Sequence, residues 1–195
     1  MSNTIVFTKY LDDELMGAVI AGGVGIMPTD TMYGIVASAY NKNAVERIYS
    51  IKRRQGKPGT IIASSAEQLI DIGIAKNDIE KAMVYWPGPV SVVLPIKSEN
   101  KWLHQGYNTV AVRIVADSEL IKFLNVVGPL VTSSANITSE KPITNTKDAM
   151  SMFNNELDYY VDKGILDQPI ASTIITFDDN GKVKILRNGV VKIIQ

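Results

Sequence analysis

The sequence predicts an α/β domain built on a mixed sheet. Three observations carry that prediction. Apolar stretches of helical and strand character alternate along the chain. Two runs rich in β-branched residues stand within residues 90–115. The last quarter ends in a hairpin pattern around a D-D-N-G turn. At 195 residues the length suits one domain, taken as 1–195, and no repeat, low-complexity block or linker divides it.

Taken in order, Leu11, Leu15 and Val19 recur at helical spacing, and Gly22 and Gly23 end that helix. Residues 24–27 read as a buried strand. Asn43, with Glu46 three residues on, gives a capping-box start to a helix whose apolar face is Val45, Ile48 and Ile51. Residues 60–63 form a short strand, and Ser64 or Ser65 caps a helix through Leu69 and Ile72. Asn77 and Glu80 repeat the capping pattern for a helix that must stop at the W-P-G-P of 86–89, because proline cannot continue it. Residues 90–95 and 109–115 are strands, Asp117 caps a helix carrying Leu120, Ile121 and Leu124, and 129–133 is a further strand. After the polar segment 134–146 come a helix near 149–153, a strand at 159–162, and a hairpin of 172–177 with 182–188.

Composition removes several chemistries. Without cysteine there is no disulfide, no thiolate zinc site and no cysteine nucleophile. His104 is the one histidine, which removes histidine-rich metal sites and histidine relays; it is expected to be solvated or packed. Twenty basic residues balance twenty acidic ones, so the whole surface is no attractor of nucleic acid, although a local basic patch remains open. The uncharged run 15–29 is shorter than the ~20 residues of a membrane span, is broken by glycines and follows three acidic residues, so no targeting or spanning segment is expected and the expected compartment is the cytoplasm. Walker-type and G-x-S-x-G motifs are absent. The G-G-V-G of 22–25 precedes a strand instead of following one, which is the wrong order for a dinucleotide fingerprint.

Four features carry positive signal. Residues 28–35, P-T-D-T-M-Y-G-I, interrupt an apolar run with two threonines flanking an aspartate, as a surface turn or a pocket wall would. Residues 42–57 hold six basic side chains (Lys42, Arg47, Lys52, Arg53, Arg54 and Lys57) against Glu46 alone. One or two cations suit the end of a helix, whereas six suit an anion such as phosphate, or else a solvated face. Residues 132–136, T-S-S-A-N, place hydroxyls and an amide at a strand exit, where ligands sit in open α/β sheets, although a plain turn has the same composition. Arg113 lies in an otherwise apolar strand, so it either faces solvent or pairs with a carboxylate, structural or a substrate's; Arg187 poses the same choice near a turn.

Together these pieces resemble the YrdC-like threonylcarbamoyl-AMP synthases over nearly the whole chain, from about Thr4 to Val191. P-T-D-T-M-Y-G-I is similar to that family's P-T-[DE]-[TS]-x-Y-G-[LI]. Its K-x-R stands at Lys52–Arg54 and its S-x-N at Ser134–Asn136. W-P-G-P-V-S-V-V-L-P, T-V-A-V-R-I-V, A-S-T-I-I and I-L-R-N-G are similar to further family blocks, in the family's order. Gln55 stands where the family often has proline, and Asn188 gives L-R-N-G for L-R-P-G.

The resemblance implies a twisted, mixed parallel/antiparallel sheet with flanking helices and a large, basic concave cavity. It implies a nucleotidyltransferase that joins L-threonine, bicarbonate and ATP into L-threonylcarbamoyl-AMP, with release of pyrophosphate. A separate transferase then uses the product to modify adenosine 37 of tRNA. Threonine is expected at Thr31, Arg113, Thr132 and Ser172. ATP is expected at Arg54, Lys57, Thr109, Ser134 and Arg187, with Lys52, Arg54, Ser134 and Asn136 as the catalytic set. Magnesium is expected to come with the triphosphate, held by substrate oxygens and water and not by a protein metal site. Possible partners include tRNA or double-stranded RNA. The alternatives are a non-catalytic RNA-binding module of the same fold and a relative acting on carbamoyl phosphate.

Overall fold

The computed structural model describes residues 5–53, 58–97, 99–137, 142–153, 156–166 and 170–193. Strand β1 (Ile5–Phe7) leads to helix α1 (Asp13–Ile20), whose N-terminus is closed by Asp12 accepting from Glu14 N and Leu15 N. Strands β2 (Gly25–Pro28) and β3 (Tyr33–Ser38) form a hairpin, with Pro28 opposite Tyr33. Then follow α2 (Lys42–Ile51), β4 (Thr60–Ala63), α3 (Ala66–Asp71) and α4 (Lys76–Ala82). A 3₁₀ turn at Met83–Tyr85 precedes β5 (Val90–Pro95), α5 (Lys101–His104) and β6 (Thr109–Ile114). The chain continues through α6 (Ser118–Val127), β7 (Leu130–Ser134), α7 (Thr146–Phe153), β8 (Tyr159–Val161), β9 (Thr173–Phe177) and β10 (Val183–Arg187).

The strands form one ten-stranded mixed sheet in the order β1-β8-β2-β3-β7-β4-β6-β5-β9-β10. Pairs β1/β8, β2/β8, β4/β6 and β5/β9 are parallel, and the remaining pairs are antiparallel. Helices cover both faces. On one face Ile35, Ile61, Val112 and Val131 pack with Val45 and Ile48 of α2 and Phe153 of α7. On the other, Val36, Ile62 and Leu130 pack with Leu15 and Val19 of α1 and with Phe123 and Leu124 of α6. A sheet covered on both sides needs strands apolar on both sides, which is why the central strands read as near-continuous apolar runs.

The cover on the α1/α6 face is incomplete, and the strands record where it ends. Side chains alternate along a strand, so Thr60 shares a face with Ile62, Thr132 and Ser134 with Leu130, and Ala111 with Arg113. Thr60 pairs with both Ala111 and Thr132, and Gly34 with Ser134. These residues continue the α1/α6 face beyond its apolar cluster, and there they line an open cavity.

Several local expectations are corrected. The cap of α2 is Asn41 and not Asn43: its side chain accepts from Ala44 N at 3.0 Å, while Glu46 turns outward to Lys42. Helix α4 begins after Ala75 without a side-chain cap, which places Asn77 inside it. Strand β3 emerges from within the P-T-D-T-M-Y-G-I segment, where no strand was expected. His104 is packed, one of the two states expected of it: it is buried, and its Nδ1 accepts from Gly106 N and Asn108 N, both at 3.2 Å, so it braces the turn into β6.

The C-terminal segment lies hard against β9. A Cβ on Gly189 would stand 2.3 Å from Ala171 O and 2.4 Å from Thr173 N, while Thr173 Oγ1 donates to Val191 O at 2.6 Å. Gly189→Ala is therefore expected to lift this segment and cost about 1–3 kcal/mol, the usual range for overpacking, as read by urea denaturation. Unchanged stability would show that the contact is looser than the geometry requires.

Candidate functional site

The β2–β3 loop is shaped by its first threonine. Thr29 N and Oγ1 both donate to Met32 O, at 2.9 and 2.8 Å, and Thr29 Oγ1 accepts from Thr31 N and Met32 N at 3.3 Å. Two tyrosines hold the hairpin from outside. Tyr10 donates to Pro28 O at 3.1 Å; burial, then nearby Asp117, pushes its phenol well above the ordinary value, so it stays a donor. Tyr33 is buried, donates to Gly164 O at 2.8 Å and accepts from Lys163 N at 3.1 Å, so it packs and does not wall the cavity. Gly34 gives the loop's exit room: a Cβ there would stand 2.4 Å from Thr132 Oγ1.

Arg113 resolves into one of its two sequence options. It pairs with Asp30, through Nε to Oδ2 at 3.1 Å and Nη2 to Oδ1 at 2.7 Å, with the two side chains 3% and 7% exposed. Nη1 donates to Ser91 Oγ at 3.0 Å, and Nη2 also reaches Thr31 Oγ1 at 3.5 Å. The two-point fork fixes the guanidinium plane against the strand. Asp30, whose role the sequence left open, braces Arg113 and ties the loop to β6.

Lys52 caps α2 and is 2% exposed. Its ammonium donates to Ser134 O, to Asn136 O at 2.7 Å and to Asn136 Oδ1 at 3.0 Å, while Ser134 Oγ donates to Asn136 Oδ1 at 2.6 Å. An ammonium has three hydrogens. These contacts engage all of them in holding the turn after β7, which presents Ser134 to the cavity. Lys52 and Asn136 thus stand behind the lining and not in it.

Ser172 and Arg187 arrive from the edge hairpin. Leu186 is an extra residue opposite β9, and this bulge turns Arg187 back toward Ile174. Arg187 then donates to Ser172 O through Nε at 3.2 Å and Nη2 at 2.8 Å, and through Nη2 to Ser172 Oγ at 3.1 Å. Ser172 Oγ lies 2.9 Å from Ser91 Oγ.

The cavity is open, with a volume of about 150 Å³, and Thr31, Arg113, Thr132, Ser134, Ser172 and Arg187 all line it. Six of the sequence-predicted site residues therefore meet, although they lie between residues 31 and 187. Thr109 lies on the face of Ala111 and Arg113, one pleat beyond the lining. Arg54 and Lys57 fall outside the described residues. Ser91 was missed, although a lone serine in an apolar strand was a signal for it. Among the described residues no group of three or more histidine, cysteine or acidic side chains is placed to hold a metal ion.

Among the described residues of the basic stretch, Lys42, Arg47 and Lys52 do not form one patch. Lys42 turns to Glu46, and Arg47 reaches away to Asp158 and to Glu156 O, both at 2.5 Å. An α-helix turns about 100° per residue, so Lys42, Arg47 and Lys52, five apart, point about 140° away from one another in succession. Of these three, only Lys52 joins the site.

Comparison with known proteins follows the same outline. The family model Sua5/yciO/yrdC, described as "Telomere recombination", matches residues 18–189. A Mycobacterium tuberculosis protein named "Putative threonylcarbamoyl-AMP synthase" is 31% identical over 180 residues, 90% of this chain and 82% of its own. The crystal structure of P. abyssi Sua5 complexed with L-threonine superposes with TM-score 0.81 at 29% identity, over 95% of this chain; the match covers 57% of the Sua5 chain. E. coli YciO shares the fold, with TM-score 0.81 at 20% identity over 98% of both chains. With its matched span enclosing the whole cavity lining, the chain belongs to the Sua5/YciO/YrdC family.

Proposed function

We propose that the protein is a threonylcarbamoyl-AMP synthase, joining L-threonine, bicarbonate and ATP into threonylcarbamoyl-AMP and pyrophosphate for modification of tRNA. One observation carries the reading: the residues expected at threonine (Thr31, Arg113, Thr132, Ser172) and two expected at ATP (Ser134, Arg187) line a single cavity. The likeness to a Sua5 chain complexed with L-threonine supports it.

The chemistry suits such a lining. Threonine's amine attacks carbon dioxide, releasing a proton, or bicarbonate, releasing water, to give a carbamate. A carbamate oxygen attacks the α-phosphorus of ATP, and pyrophosphate leaves. No step needs a covalent bond to the protein. The side chains have to hold two substrates in line and meet the growing negative charge with fixed donors. Arg113 and Ser172 serve the amino acid's carboxylate, and Ser134 and Arg187 serve the nucleotide. The described residues build no cage for magnesium, and Asp30 is committed to Arg113, so the ion is assigned to the triphosphate and no step is drawn through it.

The test is pyrophosphate release with ATP, L-threonine and bicarbonate, expected only when all three are present. Release that ignores threonine or bicarbonate would overturn the reading. Salt-dependent tRNA binding with no turnover would point instead to an RNA-binding module of this fold.

A further inference from the structure

We infer that Ser91 is a positioning residue of this site, turning the Arg113 guanidinium and the Ser172 hydroxyl into a fixed pair of hydrogen-bond donors for one anionic group. The inference rests on the reading above for the identity of that group, a substrate carboxylate.

The argument is a count of hydrogens and lone pairs. Ser91 is fully buried on β5, one position past the Val92–Val112 pair and therefore opposite Arg113. Its Oγ accepts from Arg113 Nη1 at 3.0 Å and lies 2.9 Å from Ser172 Oγ. A hydroxyl has one hydrogen to give and two lone pairs to receive. If Ser172 donated to Ser91, the Ser91 hydrogen would have no acceptor among the described residues, a costly arrangement at a fully buried site. Ser91 must therefore donate to Ser172.

Ser172 Oγ also accepts from Arg187 Nη2 at 3.1 Å. Both of its lone pairs are then engaged, and its own hydrogen is left for the cavity that it lines. Arg113 has five N–H groups. Nε, both Nη2 hydrogens and one Nη1 hydrogen are given to Asp30, Thr31 and Ser91, which leaves one Nη1 hydrogen on a residue that lines the cavity. Nη1 and Ser172 Oγ are both within 3.0 Å of the Ser91 oxygen, so one carboxylate can receive from the two together. Without Ser91 only Arg187 orients the Ser172 hydroxyl, its hydrogen is no longer directed, and the polarity of the pair is lost.

The test uses Ser91→Ala and Ser91→Cys in the full chain. Cysteine keeps the approximate volume of serine but is a poor acceptor, which separates the hydroxyl from mere packing. Both variants are expected to raise the KM for threonine roughly 10- to 100-fold, as fits a lost bond to a charged group, with the KM for ATP within about threefold of wild type. Wild-type kinetics in Ser91→Cys would overturn the inference, as would equal increases in both KM values with a reduced folded fraction. Should the wild-type protein release no pyrophosphate, the synthase reading fails while this inference keeps its own readout. Exchange of the Arg113 side-chain N–H protons with water, followed by ¹⁵N NMR, is expected to quicken at least tenfold in both variants, in proportion to the bond removed. Unchanged exchange would sink it.

Discussion

Asp30→Ala is expected to lower the unfolding free energy by roughly 3–5 kcal/mol, because it strands a guanidinium whose side chain is only 3% exposed. The pair as a whole is worth far less than that figure. Its attraction is set against the cost of taking two charges out of water, so exchanging both partners for apolar groups is often close to neutral. The double variant Asp30→Leu/Arg113→Met is accordingly expected to regain most of the lost stability while releasing no pyrophosphate. Urea denaturation of the three proteins decides the point. If Asp30→Ala unfolds at the wild-type midpoint, the pair bears no strain of burial and the loop is held by its threonines alone.

Lys52→Met should lower kcat by about 10²-fold or more in a protein that still folds, the scale set by an ångström of misplacement near reacting atoms. The side chain lies behind the lining, so the effect travels through the turn at 134–136. Methionine keeps the bulk and removes the three donors. A rate within tenfold of wild type would mean that Ser134 keeps its place without the ammonium, and Lys52 would lose its part in the site.

Much of the sheet was readable because its strands are short, β-branched and bounded by turn residues: β4 and β5 lie at 60–63 and 90–95 as expected. Strand β3 was hidden because Tyr33–Ser38 is buried on both sides and so shows no alternation, while its glycine and the preceding polar loop suggested a pocket wall. That suggestion and the strand are both right, since the loop lines the cavity and the strand carries it there. Asn41 and Asn43 are chemically equal as caps, and only the position of Ala44 N separates them. Charge was legible in number and not in direction. A count along the sequence cannot see that Lys42, Arg47 and Lys52 leave their helix in different directions. The alternation in 109–115 was the better guide: Thr109, Ala111 and Arg113 against Val110, Val112 and Ile114 marks a strand with one covered face and one open one.

The bulged hairpin at the sheet's edge has a consequence for how the site lives in time. Among the described residues, strand β10 has a neighbour on one side only, whereas β3, β7, β4 and β6 are flanked on both. Edges fray at lower free energy than centres, in cooperative units no larger than a hairpin. Arg187, on β10, therefore belongs to a part of the molecule able to breathe while Thr31, Thr132, Arg113 and Ser172 stay fixed. A ligand that touched both groups would act as a clasp between a rigid leaf and a restless one.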